Sequence, residues 1–197
     1  MSLWEIEEEY AAKGYKLICG ADEAGAGPLA GAVYAAAVIL PLGLEIEGLN
    51  DSKKLTEKKR EYLFDIIKEK AISWSIQFVD EKEIDETNIL AARLKAMDMS
   101  INALAPAADF ALIDGNRDKG IRCPHVTVIK GDARSANIAA ASILAKVTRD
   151  RYITEMDAIY PQYGFAKHKG YPTKAHYDAL RKHGPCPIHR LTFLKNL

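Results

Sequence analysis

The chain has 197 residues, of which 48% are hydrophobic and 27% charged, which supports a folded domain with a sizeable core and excludes a disordered tail or collagen-like repeat. No apolar run reaches the ~20 residues of a membrane-spanning helix, no signal-peptide pattern opens the chain, and Cys19, Cys123 and Cys186 form no Cys-x-x-Cys pair, so a soluble, cytoplasmic protein without a disulfide framework or structural zinc is expected. The net charge of zero conceals a balance of −9 over residues 1–114 and +9 over 115–197, where all five histidines also fall; a basic half suits phosphate and an acidic half a metal, while surface solvation would account for both equally.

Lys16–Ala21 and Ala30–Leu40 are apolar runs separated by a Gly-Pro segment and read as two hairpin-connected strands. Leu63, Ile66 and Ile67 recur at helical spacing within Leu55–Lys70, after Thr56 as a plausible N-cap. Ile72, Trp74, Ile76 and Phe78 alternate, predicting a half-buried strand over Ile72–Val79 with these residues on one face. Leu90, Leu94, Met97, Ile101 and Leu104 then form the stripe of one core-facing helix running to Ala105. Asp109–Ile113 and Val126–Ile129 are short strands, and Ser135 opens a largely buried helix reaching about Tyr160. A short helix over Thr173–His183 follows. The succession predicts an α/β fold, a mixed sheet with helices on both faces, plus a small C-terminal helical segment. No linker forces a boundary; residues 1–160 are expected to be the catalytic domain and 161–197 the helical segment.

Asp22, Glu23, Asp114 and Asp132 stand apart from the other acids because each is expected to close a buried strand, where α/β sheets place their ligand sites. Any one of them could be only a turn former or helix cap. Four carboxylates brought together repel unless a divalent cation neutralises them, and oxygen-only donors favour Mg²⁺ or Mn²⁺ over zinc. Gly25-Ala26-Gly27-Pro28-Leu29-Ala30 formally matches a dinucleotide-binding loop. The adjacent acids would repel a pyrophosphate and Pro28 lacks an amide donor, so close backbone approach to a sugar-phosphate chain is the better reading.

These residues resemble the bacterial type 2 ribonuclease H family (ribonuclease HII). The resemblance rests on Asp22-Glu23-Ala24-Gly25-Ala26-Gly27-Pro28-Leu29-Ala30-Gly31, Asn50-Asp51-Ser52-Lys53-Lys54-Leu55 and Asp114-Gly115-Asn116. It continues through Lys130-Gly131-Asp132-Ala133-Arg134-Ser135, the helix from Ile138 to Asp150 with Lys146, His168-Lys169-Gly170-Tyr171-Pro172-Thr173, and Pro187-Ile188-His189-Arg190. Type 2 is preferred because type 3 relatives carry an extra N-terminal domain.

The resemblance implies a ribonuclease H-like sheet and endonucleolytic cleavage of RNA in RNA–DNA hybrids and 5′ to ribonucleotides embedded in duplex DNA. It implies that Asp22, Glu23, Asp114 and Asp132 bind two divalent ions, ~3.5–4 Å apart in such sites. Gly25, Ala26 and Gly27 would read the 2′-hydroxyl, and Tyr171 would lie against the sugar at the RNA-to-DNA junction. Ser52, Lys53, Lys54, Asn116, Arg134, Ser135 and Lys146 would complete the substrate contacts. A monomer is expected; recruitment by a sliding clamp stays open. The family usually has Gly-Arg-Gly where this chain has Gly25-Ala26-Gly27, so one phosphate-contacting arginine is missing. Two other readings stay open: a different two-metal nuclease on the same sheet, which would cut all-DNA duplex, and a hybrid-binding module that does not cut.

Overall fold

A computed structural model describes residues 2–50 and 52–195; Met1, Asp51, Asn196 and Leu197 lie outside the described residues. The two apolar runs flanking the glycine segment pair antiparallel, as β1 (Ile18–Ala24) and β2 (Val33–Ile39). Every residue of β2 is buried, so it must be covered on both faces. Beside it runs β3 (Ser73–Val79), also antiparallel, while β4 (Phe110–Asp114) lies parallel to β1 and β5 (His125–Val128) parallel to β4. The sheet order is β3-β2-β1-β4-β5, a mixed sheet as expected.

Helices α2 (Glu57–Lys70) and α5 (Ala136–Ile159) cover one face, burying Leu63, Phe64, Ile67, Ile143 and Leu144 against Ala36 and Val38. Both begin as the sequence indicates, with Thr56 Oγ1 accepting from Lys59 N at 3.3 Å and Ser135 Oγ from Ile138 N at 3.1 Å. The first turn of α5 lies directly on β1. A Cβ at Gly20 would stand 2.2 Å from Ile138 N, so only glycine permits this approach. The fully buried Asn137 staples the junction, accepting from Leu40 N at 2.8 Å and donating to Ile18 O at 3.0 Å.

Three expectations are corrected. The single helix running to Ala105 is two: α3 (Glu81–Glu86) and α4 (Ile89–Asn102), separated where Asn88 caps the second by accepting from Ala91 N at 2.9 Å. Leu90 is exposed, while Leu94, Met97 and Ile101 pack on the opposite sheet face with Val33, Ala35 and Ile39. The apolar face of β3 is its outer one: Trp74 and Phe78 are 37% and 54% exposed, whereas Ser73, Ser75 and Val79 are buried. An edge strand explains this, because the helices on that face do not fully reach it. Lys68 Nζ, 4.5 Å from the Trp74 ring centroid, and Tyr34, 5.4 Å from Phe78, give partial cover. Finally, Asp22 and Glu23 do not follow β1 but lie within it, opposite Ala36 and Ala35 of β2, because the ladder with β2 continues to Ala24.

An N-terminal helix that the periodicity did not indicate, α1 (Glu5–Ala12), adds Ile6 and Tyr10 to a cluster with Ile18, Phe110 and Ile138. After α5 the chain forms α6 (Phe165–His168) and α7 (Lys174–His183). Their apolar residues Phe165 and Leu180 pack with Leu29, Ala30 and Ile153, pinning the tail to the glycine segment. Among the described residues no helix is long and apolar enough to cross a membrane.

Candidate active site

Parallel register brings the acids together. Ala21 pairs with Ile113 across β1 and β4, so Asp22 and Asp114 are the next residues in step. Successive strand residues face opposite sides. Asp22 faces α5 and its Ser142, whereas Glu23 faces α4 and receives Arg93 Nη1 at 3.0 Å. Asp132 does not close β5 directly. It lies in a 3₁₀ turn, Gly131–Ala133, beyond the strand end at Val128, after Lys130 at φ 56°. The turn is tied back by Gly131 N, which donates to Asp114 Oδ1 at 2.7 Å.

Burial raises the Asp22 carboxyl well above the usual carboxylate range, reinforced by the negative charges of Glu23 and Asp114; the Ser142 hydroxyl partly offsets this. Burial also raises Glu23, opposed by Arg93 and assisted by Asp114. Lys53 Nζ stands 3.7 Å from Asp132 Oδ2 and adds positive charge beside Glu23.

The donor set fits a hard divalent cation. It consists of carboxylates alone, three of them repelling one another, and Glu23 Oε2 is buried with no hydrogen-bond partner among the described residues. As they stand, no three acidic, histidine or cysteine side chains among the described residues converge closely enough to enclose an ion. The four acids share an edge without forming a closed cage.

The expected substrate residues divide into groups. Gly25, Ala26 and Gly27 follow β1 directly, and Tyr171, 42% exposed, lies over Gly27, its Cε1 3.5 Å from where a Cβ there would be. Lys53 and Lys54 are exposed in a 3₁₀ turn whose Ser52 is buried, its hydroxyl 2.7 Å from that of Ser142. Asn116 is exposed in the loop after β4, and Arg134 is exposed with Nη1 3.4 Å from Ile129 O. Lys146, one turn on from Ser142, is half-buried and bonded to Asp150 Oδ1 at 2.8 Å; burial lowers its pKa. Ser135 presents no side chain to the surface. Fully buried, it caps α5 and donates to Glu7 Oε1 at 2.6 Å.

Sequence reasoning assigned no role to Arg93, Arg149 or Arg190. The last two are buried, at 1% and 0% exposure, and both donate to carbonyls of the glycine segment. Arg190 was visible only as a member of the Pro-Ile-His-Arg motif, because arginine composition carries no signal of burial.

A mixed sheet of this order, with acids toward the carboxyl ends of its two central parallel strands, defines a ribonuclease H-like α/β protein. The structure matches ribonuclease H2 from Pyrococcus horikoshii OT3 with a TM-score of 0.74 at 28% identity, covering 90% of this chain and 93% of that one. It shares the fold of Bst-RNase HIII, a structure solved in complex with Mn²⁺ (TM-score 0.63, 18% identity, covering 85% of this chain and 63% of that one). The family model for ribonuclease HII matches residues 19–196. Ribonuclease HII of Ruminiclostridium cellulolyticum is 59% identical over 191 residues, 97% of this chain and 75% of that protein. The chain belongs to the ribonuclease HII family and is a ribonuclease H.

Proposed function

We propose that this ribonuclease H cleaves the RNA strand of RNA–DNA hybrids and cuts 5′ to ribonucleotides embedded in duplex DNA, leaving 3′-hydroxyl and 5′-phosphate ends. Asp22, Glu23, Asp114 and Asp132 would hold two divalent cations, Mg²⁺ or Mn²⁺. The observation that carries this reading is the mutual repulsion of buried Asp22 with Glu23 and Asp114, beside an unpartnered Glu23 Oε2. Bound cations would neutralise phosphate charge and favour deprotonation of an attacking water.

The chain's own groups position the substrate. Gly25, Ala26 and Gly27 offer backbone close to a ribose, with the Tyr171 ring beside Gly27 as a surface for the junction sugar. Exposed Lys53, Lys54 and Arg134 would hold phosphates, which fixes register without reading sequence. Residues 1–160 would form the catalytic part and 161–197 the segment that completes the substrate surface. Ribonucleotide removal during DNA replication and repair would be its role.

The test is incubation with two duplexes, one carrying a single ribonucleotide and one all DNA, with Mg²⁺ and Mn²⁺ in turn. Incision 5′ to the ribonucleotide alone is expected. Cutting of the all-DNA duplex would identify a general nuclease, and binding without incision of either would identify a recognition module.

A further inference from the structure

We infer that Arg190 is the positioning residue that aims the glycine segment's amides at the ribose; this rests on the ribose-reading role proposed for Gly25, Ala26 and Gly27. The guanidinium is fully buried, and its three nitrogens are all engaged by one loop. Nη2 donates to Gly25 O at 2.7 Å and to Gly31 O at 2.6 Å, Nη1 to Ala26 O at 3.2 Å and Pro28 O at 2.9 Å, and Nε to Gly31 O at 2.9 Å. The backbone fixes where this side chain starts. Arg190 N donates to Leu29 O and Gly31 N to Ile188 O, each at 2.8 Å, around an antiparallel bridge between Ala30 and His189. The Phe193 ring centroid lies 5.2 Å from the guanidinium carbon.

Peptide planarity turns this arrangement into a statement about donors. In a trans peptide the C=O and the following N–H point in opposite directions, and the cis bond recorded among the described residues is Ala105–Pro106, far from this loop. Drawing the carbonyls of Gly25 and Ala26 inward onto Arg190 therefore turns the N–H groups of Ala26 and Gly27 outward. The outer side is where Gly27 is exposed and Tyr171 lies. Among the described residues neither amide meets an acceptor, whereas Leu29 N and Gly31 N are used internally, on Gly170 O and Ile188 O, both at 2.8 Å. Pro28 contributes none. The loop thus offers two consecutive free donors, and one buried arginine sets their direction.

A lysine at this position keeps the charge but has no planar fork, so it cannot hold four carbonyls of one loop at once. Arg190→Lys should leave the phosphate contacts in place and release the peptide planes that carry the donors. The experiment measures affinity for the single-ribonucleotide duplex and for the same duplex in all-DNA form, with chelator present so that nothing is cut. The wild type should prefer the ribonucleotide duplex. Arg190→Lys should reduce that preference about tenfold while its affinity for all-DNA duplex stays unchanged, a split that general loss of structure would not give. A preference retained in Arg190→Lys overturns the inference. A wild type with no preference overturns the ribose reading itself, and the two failures are thereby distinguished. Amide hydrogen exchange of the ¹⁵N-labelled wild type decides the matter even if the variant does not fold. Ala26 and Gly27 amides that exchange freely and become protected on binding the ribonucleotide duplex support it, and amides already protected in the free protein overturn it.

Discussion

Gly131 donates its amide to Asp114 Oδ1 at 2.7 Å, so the end of β4 and the turn carrying Asp132 are held together. A Cβ at Gly131 would stand 2.5 Å from Ile138 Cδ1 and 3.1 Å from Asp114 Oδ1, which leaves no room for a side chain between strand, turn and helix. Asp114→Asn keeps an oxygen for that amide but removes the charge. Turnover should fall at least about 10²–10³-fold, the usual cost of removing a group that stabilises developing charge, with hybrid binding largely intact. Near-normal turnover at saturating Mg²⁺ would remove Asp114 from the proposed site.

Asp22 is buried beside two other acids, which makes its ionised form unfavourable. Asp22→Asn should therefore stabilise the protein in chelator by about 1 kcal/mol, or about 2–4 °C in Tm for a chain of this size. The same variant should lose the rise in Tm that Mg²⁺ gives the wild type. Thermal melts with and without Mg²⁺ check both. A destabilised variant that still responds to Mg²⁺ would contradict the assignment.

His176 and His189 form a buried pair with Nε2 atoms 3.0 Å apart. His176 Nδ1 lies 3.0 Å from Tyr171 O, and Cys186 N donates to His189 Nδ1 at 2.9 Å. One consistent assignment runs through the chain: His176 donates from Nδ1, and His189 donates from Nε2 to His176 Nε2, with both rings neutral. His168 stacks on His176 at 4.5 Å, and the Tyr163 ring lies 4.9 Å from His189. Burial, and then neighbouring His176, lower His189 to about 4. In acid the unfolded chain takes up protons that the folded one refuses. Stability from this site is therefore complete above the ordinary histidine value of 6.5 and lost progressively as pH falls toward about 4. Urea unfolding of the wild type and His189→Gln over pH 7 to 4 should show a smaller loss in the variant; parallel profiles would show that His189 does not titrate in this way.

Ala26 stands where the family usually carries arginine, and its carbonyl is already held by Arg190. Ala26→Arg should strengthen hybrid binding by about 1.5–3 kcal/mol at low salt, the range for a hydrogen bond to a charged group, without moving the cut position. The gain should shrink as salt rises. The wild type's own affinity should also fall steeply with salt if Lys53, Lys54 and the basic second half displace counterions. Affinities over a salt series, with mapped cut sites, test this. A shifted cut at unchanged affinity would mean that the loop does not lie along the ribose.

Helix starts were legible because capping is local chemistry. Thr56, Ser135 and Thr173 each accept from an amide three residues on, within reach of neighbouring sequence alone. The cap at Asn88 is equally local, but it lies just before the apolar stripe that begins at Leu90, so the separate short helix ahead of it was not distinguished. The β3 face could not be read from alternation. Alternation says which residues share a face, and only the position at the sheet edge decides which face the helices cover.

The same division holds for the site. The acids, the glycine segment and the family were readable along the chain, because they are residue identities in a fixed order. That Asp22 stands in step with Asp114 follows from the fold, through parallel pairing of residues 92 positions apart in the chain. The same long-range packing brings Arg93 of α4 onto Glu23 and places Arg190 beneath the glycine segment, 159 residues from Gly31. Register and burial are set by long-range packing, which local propensity does not encode.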